Sequence, residues 1–78
     1  MNLAIYTKPG CPYCDKIKQV FAAKQWNYAE YILNRDFEKD PFYEQFGQGA
    51  TFPQVIMGDL KLGGCTESIM YLRAKGML

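Results

Sequence analysis

Two cysteines separated by two residues stand near the start of the chain, in Cys11-Pro12-Tyr13-Cys14. Thiols at this spacing can close a small disulfide, and the thiolate is the form that attacks other disulfides. An apolar run precedes the pair and a helical pattern follows it. Cys11 is therefore predicted at a helix N-terminus, where free N–H groups and the helix dipole favour its thiolate. We predict thiol-disulfide exchange with Cys11 as the exposed nucleophile and Cys14, about one turn further in, as the resolving thiol.

Zinc binding and simple burial are the alternative roles for this pair. A structural zinc site takes four Cys or His ligands, whereas the chain has three cysteines and no histidine. The ligand count argues against zinc, and we predict no metal ligands. The third cysteine, Cys65, is open to two interpretations: an inert buried thiol, or a second reactive thiol close to a helix N-terminus.

Length and charge narrow the remaining classes of function. Seventy-eight residues suffice for one small domain spanning 1–78 with a single core. Nine basic residues against eight acidic ones leave a net charge of +1, which gives no reason to expect a nucleic-acid or membrane partner. The sequence has neither an apolar run of about eighteen residues nor a leader-like start. Its odd number of cysteines argues against a disulfide framework, so we expect a cytoplasmic protein.

The spacing of apolar residues predicts the elements that position the cysteines. Leu3 to Tyr6 is a short apolar run, typical of a buried strand. Between Cys14 and Lys24 the apolar residues recur at intervals of three and four, which predicts an amphipathic helix with Pro12 in its first turn. Tyr28 to Leu33 predicts a second strand, parallel to the first. A right-handed crossover then places Cys11 near the carboxyl end of the first strand, where open α/β sheets bind ligands.

The second half of the chain predicts a short helix and a hairpin. The segment from Phe37 to Phe46 carries aromatic residues among charged ones, and Asp40-Pro41 is a signal that starts or restarts a short helix. Two apolar runs, Gln54 to Met57 and Leu60 to Leu62, flank Gly58-Asp59, a two-residue hairpin signal. This half of the sheet is therefore predicted to be antiparallel.

A last helix is predicted after the hairpin. Thr66 is a candidate N-cap, because its hydroxyl is able to accept a backbone N–H, and Lys75-Gly76 is predicted to end the helix. Four aromatic residues are assigned to the core: Phe21, Trp26, Phe42 and Phe46.

The motifs taken together resemble the dithiol glutaredoxins of the thioredoxin-like superfamily. The segment Cys11-Pro12-Tyr13-Cys14 is similar to their active-site tetrapeptide, and four further motifs follow the family order: Tyr6-Thr7-Lys8, Thr51-Phe52-Pro53-Gln54, Gly63-Gly64 and Cys65-Thr66. The resemblance implies an α/β, thioredoxin-like fold with the element order β-α-β-α-β-β-α. It also implies a four-stranded mixed sheet of strand order 2-1-3-4, with three helices distributed over both faces.

The resemblance further implies a glutathione-dependent thiol-disulfide oxidoreductase with no bound cofactor, for which reduced glutathione is the cosubstrate. Its protein partners would be disulfide-containing or glutathionylated proteins, with ribonucleotide reductase as a family-level example, and the chain would act as a monomer. Glutathione binding carries over to the positions that match the family motifs: Lys8, Tyr13, Thr51, Phe52, Pro53, Gly64, Cys65 and Thr66.

These positions would serve different parts of the tripeptide. Lys8 would attract the glycyl carboxylate and add positive potential near the thiolate, while the ring of Tyr13 would wall one side of the groove. In the family a cis peptide bond precedes the proline that matches Pro53, which would turn the backbone of Phe52 toward the cysteinyl unit. Backbone N–H groups at the start of the last helix would receive the γ-glutamyl carboxylate.

Two positions depart from the family pattern. Phe52 stands where relatives usually have valine, which affects local packing because backbone pairing does not depend on the side chain. Thr66 stands where many relatives have aspartate. A neutral hydroxyl is a weaker acceptor for the γ-glutamyl ammonium than a carboxylate, which implies weaker glutathione binding.

Two other functions compete with this one. A similar redoxin would be reduced by thioredoxin reductase, although Lys8, Tyr13 and Thr66 argue for glutathione. A dimer would hold an iron-sulfur cluster through Cys11 thiolates and glutathione. Cluster-binding relatives commonly have a small residue after the nucleophile, so Pro12 argues against this alternative.

Overall fold

The computed structural model describes residues 2–78, which form four strands and three helices. In chain order these are β1 (Leu3–Thr7), α1 (Pro12–Ala23), β2 (Tyr28–Ile32), α2 (Lys39–Phe46), β3 (Gln54–Met57), β4 (Leu60–Gly63) and α3 (Cys65–Ala74). This is the element order that the resemblance implied.

The strands form one mixed sheet in the order β2-β1-β3-β4. β1 pairs in parallel with β2, so that Leu3 lies opposite Tyr28. β1 pairs antiparallel with β3, and β3 pairs antiparallel with β4. Gly58 takes a positive φ of 63° in the tight turn between β3 and β4, which is favourable for glycine because it has no Cβ. The sheet order and the hairpin are confirmed.

The main core lies between one face of the sheet and the pair α1 and α3. Leu3 and Ile5 of β1 point to this face and are buried, as the alternation of a half-buried strand requires. The core also takes in Ile17, Phe21, Val55, Leu62, Cys65 and Leu72. Burial of each large aliphatic or aromatic side chain contributes about 2 kcal/mol, and together these contacts fix α1 on the sheet.

Aromatic side chains cover the opposite face. Tyr6 of β1 has its ring centroid 5.0 Å from Phe46, 5.1 Å from Phe37 and 6.2 Å from Phe42. Because Phe42 and Phe46 belong to α2, this helix lies on the face away from α1 and α3. Helices therefore occupy both faces, as the resemblance implied. Of the four aromatic residues assigned to the core, Phe21 and Phe42 are fully buried, whereas Trp26 and Phe46 are half-buried.

Two helix starts differ from the sequence prediction. α2 begins at Lys39, with Glu38 in the N-cap position, so that Pro41 is its third residue. The prediction that Thr66 caps the last helix is wrong: Gly64 is the N-cap, with extended backbone (φ −79°, ψ −166°), and α3 begins at Cys65. The predicted end is confirmed, since Lys75 is the C-cap.

A polar network fixes α1 to the carboxyl end of β1. Thr7 Oγ1 donates a hydrogen bond to Glu30 Oε2 at 2.8 Å, and Lys18 Nζ donates to the same oxygen at 3.0 Å. Burial alone would raise the pKa of the Glu30 carboxyl, but the hydrogen bonds from Lys18 and Thr7 outweigh it and the pKa lies below its ordinary value. The hydrogen bond to Glu30 also raises the pKa of Lys18. The helix that carries both cysteines is thereby oriented relative to the sheet.

Across residues 2–78, no helix combines the length and the apolar character that a membrane crossing requires.

Candidate active site

Cys11 and Cys14 are joined by a disulfide at the N-terminus of α1, with their Cα atoms 5.2 Å apart. Cys11 occupies the N-cap position in extended conformation, and Pro12 is the first helical residue, as predicted. The backbone N–H of Cys14 donates to Cys11 Sγ at 3.1 Å. An otherwise unsatisfied N–H of the helix start is thus directed at the sulfur of the predicted nucleophile.

Cys11 is less exposed than the sequence suggested. In this disulfide form its relative accessibility is 6%, against 1% for Cys14, so both residues are buried. The physical reason is the loop before β3: the carbonyl oxygen of Phe52 lies 3.7 Å from Cys11 Sγ and shelters it. Cys11 is still the more accessible of the two, as the prediction that it is the nucleophile requires.

A groove of about 210 Å³ borders the disulfide. Three separated stretches form its walls: Tyr13, which is one of the two residues between the cysteines, the loop before β3, and the start of α3. The residues that line it are Tyr13, Thr51, Phe52, Pro53, Gly64, Cys65, Thr66 and Glu67. All the residues predicted to bind glutathione are in this set except Lys8.

Lys8 lies outside the groove lining and is linked to it through Phe52. Its Nζ stands over the Phe52 ring, 5.5 Å from the centroid, at the distance of a cation–π contact. The side chain is exposed, and no acidic group of residues 2–78 forms a salt bridge with it. The Lys8 ammonium is therefore available to bind a ligand.

The side chain of Phe52 is held by contacts with other aromatic rings. The ring stacks on Phe42, with centroids 4.4 Å apart and planes inclined by 9°, and also lies 6.2 Å from the ring of Phe37. The peptide bond between Phe52 and Pro53 is cis. The ring of Phe52 thus connects the groove to the aromatic side chains on the sheet face that α2 covers.

The first turn of α3 holds a residue that the sequence prediction missed. The backbone N–H of Gly64 donates to Glu67 Oε1 at 2.8 Å, which is one half of a capping box. A Cβ at Gly64 would lie 2.8 Å from the same oxygen and 3.5 Å from the carbonyl of Pro53. A methyl group at residue 64 would therefore require the Glu67 carboxylate to move aside. The sequence signal for this N-cap was Glu67, three residues after Gly64. Placing the cap at Thr66 obscured it.

Cys65 is buried at the start of α3 and belongs to the core. Burial raises the pKa of its thiol, and Glu67 adds to this effect, while Lys16 opposes it. A thiol that keeps its proton is a poor nucleophile at neutral pH. Of the two interpretations of Cys65, the structure favours the inert one.

No three or more Cys, Asp or Glu side chains of residues 2–78 come together in an arrangement that would hold a metal ion. The site consists of a disulfide at a helix N-terminus with a groove of about 210 Å³ close to it, an arrangement suited to thiol-disulfide exchange.

Comparison with known proteins supports this assignment. The family model described as Glutaredoxin matches residues 3–60. The chain is 32% identical over 79 aligned positions to glutaredoxin 1 of Rickettsia prowazekii, covering 99% of this chain and 82% of that protein. It is also 36% identical over 70 residues to the hybrid peroxiredoxin hyPrx5 of Haemophilus influenzae, covering 90% of this chain but only 29% of the length of that relative.

Solved structures show the same fold. Glutaredoxin 1 of Francisella tularensis superposes with a TM-score of 0.80 at 30% identity, over 97% of this chain and 95% of the other. A buckwheat glutaredoxin–glutathione complex superposes with a TM-score of 0.78 at 28% identity, over 97% and 71%. With the family model matching most of the chain and a disulfide at the head of α1, the chain belongs to the glutaredoxin family of thiol-disulfide oxidoreductases.

Proposed function

We propose that this protein reduces disulfides and glutathione mixed disulfides with glutathione as its cosubstrate. The observation that carries the proposal is the groove beside the Cys11–Cys14 disulfide, because seven of the residues expected to contact glutathione line it. These residues come from three stretches far apart in the sequence. A similar protein, the buckwheat glutaredoxin, is described as a glutathione complex.

The groove offers a different interaction to each part of glutathione. The backbone of Phe52, whose carbonyl lies beside Cys11 Sγ, pairs with the cysteinyl unit in a strand-like manner. The N-terminus of α3, at Cys65 and Thr66, receives the γ-glutamyl carboxylate through free N–H groups. The ring of Tyr13, which is 60% exposed, walls the groove. Lys8 supplies charge for the glycyl carboxylate.

Reduction of a glutathionylated protein takes two exchange steps. The Cys11 thiolate attacks the glutathione sulfur of the mixed disulfide, so that a Cys11–glutathione disulfide forms and the protein thiol leaves. The thiolate of a second glutathione then attacks the bound glutathione sulfur. Oxidised glutathione leaves, and Cys11 returns to the thiolate.

Reduction of a protein disulfide uses both cysteines. The Cys11 thiolate attacks one sulfur of the substrate, giving a mixed disulfide and releasing the first substrate thiol. Cys14 then attacks Cys11 Sγ, which releases the second substrate thiol and leaves the Cys11–Cys14 disulfide that the structure contains. Two glutathione molecules restore the dithiol and form one oxidised glutathione.

The natural setting is part of the same proposal. We propose a cytoplasmic monomer with residues 1–78 as a single glutaredoxin domain, acting on disulfide-containing or glutathionylated proteins. Ribonucleotide reductase is a proposed electron acceptor, on the family resemblance alone. No nucleic-acid or membrane partner is proposed, because the net charge is only +1.

A peroxiredoxin is a second proposed acceptor. One relative, named a hybrid peroxiredoxin, contains a segment similar to this chain that occupies 29% of its length. Joining the two activities in one chain makes their encounter intramolecular, whereas separate chains must meet by diffusion. We propose that this protein reduces a separate peroxiredoxin, which peroxide consumption in a mixture of the two proteins with glutathione would test.

The deciding experiment for glutathione is a coupled assay. Turnover of a small glutathione mixed disulfide is followed with NADPH, glutathione and glutathione reductase, and in parallel with thioredoxin reductase in place of both glutathione and its reductase. We expect turnover in the first mixture only, and none from Cys11→Ser. Turnover only with thioredoxin reductase would overturn the proposal. A visible absorption band in anaerobically purified protein would instead support the iron-sulfur alternative.

A further inference from the structure

Lys8 is the one residue of the predicted glutathione set that does not line the groove. Its Nζ is instead 5.5 Å from the centroid of the Phe52 ring, and Phe52 does line the groove. Phe52 therefore contacts both the groove and the cation that is expected to serve it. Phe52 departs from the family pattern that the resemblance implies, and the sequence alone predicts an effect of this departure on local packing only.

We propose that the Phe52 side chain is a positioning residue, which holds the Lys8 ammonium at the edge of the groove for the glycyl carboxylate of glutathione. The inference rests on the proposed use of glutathione. It assigns to the ring of Phe52 a role separate from that of its backbone: the backbone faces Cys11 and the ring faces Lys8.

The ring is suited to this role because it is itself immobilised. Phe42 covers one of its faces at 4.4 Å and nearly parallel, which leaves the other face for the ammonium. Phe42 is fully buried, so the side chain that supports the Phe52 ring is itself packed in the protein interior. An ammonium over an aromatic face is attracted by the ring quadrupole, and an aliphatic side chain such as valine has no equivalent charge distribution.

The ring also reduces the entropic cost of binding. Lysine has a long, flexible side chain, and ordering it in a complex costs up to about 2 kcal/mol of rotamer entropy. A lysine already restrained over the ring loses less of that freedom when the carboxylate arrives. At an exposed site, a cation–π contact changes an equilibrium by about two- to five-fold. That is the expected size of the contribution to carboxylate recognition.

A ratio of two substrates isolates this contribution. We would measure kcat/KM for a mixed disulfide of glutathione with a small thiol and for the same substrate with its glycyl carboxylate ethylated. The ratio of the two values reports recognition of the carboxylate and cancels losses common to both substrates. The variants are Lys8→Gln, Phe52→Leu, the double variant, and Phe52→Tyr, which keeps the aromatic face.

We expect Phe52→Leu and Lys8→Gln each to lower the ratio about two- to five-fold, the double variant to lower it no further than Lys8→Gln alone, and Phe52→Tyr to retain it. Raised salt should lower the ratio in the wild type more than in Phe52→Leu. If Phe52→Leu lowers kcat/KM equally for both substrates, the ratio is unchanged. Phe52 would then have a structural role only, and the inference would be overturned. A further loss in the double variant would overturn it as well.

An error in the proposed function would give a different experimental result. In that case the wild-type protein turns over neither substrate with glutathione, and no ratio exists to compare. Should Phe52→Leu fold poorly, Phe52→Met tests the same loss of the aromatic face with a side chain of similar volume. Retention of the ratio in a folded Phe52→Met protein would again exclude the positioning role.

Discussion

The carbonyl oxygen of Phe52 lies 3.7 Å from Sγ of Cys11, although 41 positions separate the two residues in the chain. The contact is produced by the pairing of β1 with β3, because Cys11 follows the end of β1 and Phe52 precedes the start of β3. The contact places the backbone of Phe52, with its hydrogen-bonding groups, next to the reactive sulfur. A peptide-like substrate is thereby offered hydrogen bonds and a nucleophile in the same place.

The two cysteines are expected to differ in their roles. Cys11→Ser should abolish every disulfide reduction, because the more accessible sulfur at the helix N-terminus is lost. Cys14→Ser should retain reduction of glutathione mixed disulfides and lose reduction of intramolecular protein disulfides, since only the latter needs a resolving thiol. Steady-state rates with one substrate of each kind measure the difference. Equal loss of both activities in Cys14→Ser would contradict these roles.

Local signals were sufficient to predict most of the architecture. Pro12 after a cysteine marked the start of α1, and Gly58-Asp59 marked the hairpin, because each depends on the conformational preference of one or two residues. The apolar spacing predicted strands and helices close to their observed bounds. The strand order was different: periodicity does not encode it, and it followed from the family resemblance, which the structure confirms.

Long-range side-chain contacts could not be predicted in the same way. The Lys8–Phe52 contact joins residues that no local pattern relates. The sheltering of Cys11 depends on where the loop before β3 packs, which is a property of the folded chain. The cap of α3 was misplaced because threonine is a common N-cap residue, whereas the observed cap uses Gly64 and the carboxylate of Glu67.

The cap of α3 predicts a coupled effect on stability. In Gly64→Ala, the new methyl group would displace the Glu67 carboxylate, which lies 2.8 Å from the Cβ position, and so break the hydrogen bond at the helix start. We expect a loss of about 1 kcal/mol in the free energy of unfolding, measured by urea denaturation. Glu67→Ala should cost a similar amount for the same reason.

Because both substitutions remove one hydrogen bond, their effects should not add. The Gly64→Ala/Glu67→Ala variant is expected to be about as stable as Glu67→Ala alone, since the smaller side chain leaves room for the methyl group. Glu67→Gln is the matched control that keeps the side-chain length. Additive losses would show that the two substitutions act independently and that loss of this hydrogen bond does not explain the effect of Gly64→Ala.

The Glu30 network predicts a pH-dependent effect on stability. The folded-state pKa of Glu30 lies below the ordinary 4.5, so the carboxylate stabilises the fold above that pH, and this contribution is lost as pH falls through the folded pKa. Lys18 has a raised pKa, so its contribution persists to about pH 10.5 and is lost as pH rises further. Glu30→Gln should therefore lower the free energy of unfolding by about 1 kcal/mol between pH 6 and pH 9.

The difference between Glu30→Gln and the wild type should shrink below pH 4.5, when the wild-type carboxyl becomes protonated. Urea denaturation at several pH values measures it. Glu44→Gln is a suitable control, because Glu44 is exposed and forms no ion pair with any of residues 2–78. A pH-independent difference would show that the network stabilises through shape and not through charge.

The reduced protein should contain one fast thiol. Cys11 is expected to have a pKa below the roughly 8.5 of a free cysteine, because helix N–H groups and the nearby Lys8 favour its thiolate. Burial raises the pKa of Cys65 and limits access to its sulfur. Alkylation with iodoacetamide at pH 7, followed by mass spectrometry, should label Cys11 well before Cys65. Comparable rates at the two residues would make Cys65 a second reactive centre.

Thr66 offers a way to strengthen glutathione binding. It is exposed at the second position of α3 and lines the groove. In Thr66→Asp, a carboxylate replaces the neutral hydroxyl and accepts a charge-assisted hydrogen bond from the γ-glutamyl ammonium, which is about twice as strong as a neutral one. The helix dipole also favours an acid at this position.

We expect KM for glutathione to fall about three- to ten-fold in Thr66→Asp, which corresponds to about 1 kcal/mol, with kcat little changed. Thr66→Asn has nearly the same shape without the charge and should leave KM near the wild-type value. An equal decrease in both variants would assign the effect to shape. An increase in Thr66→Asp alone would mean that the side chain of residue 66, and not only the backbone N–H groups, faces the γ-glutamyl carboxylate.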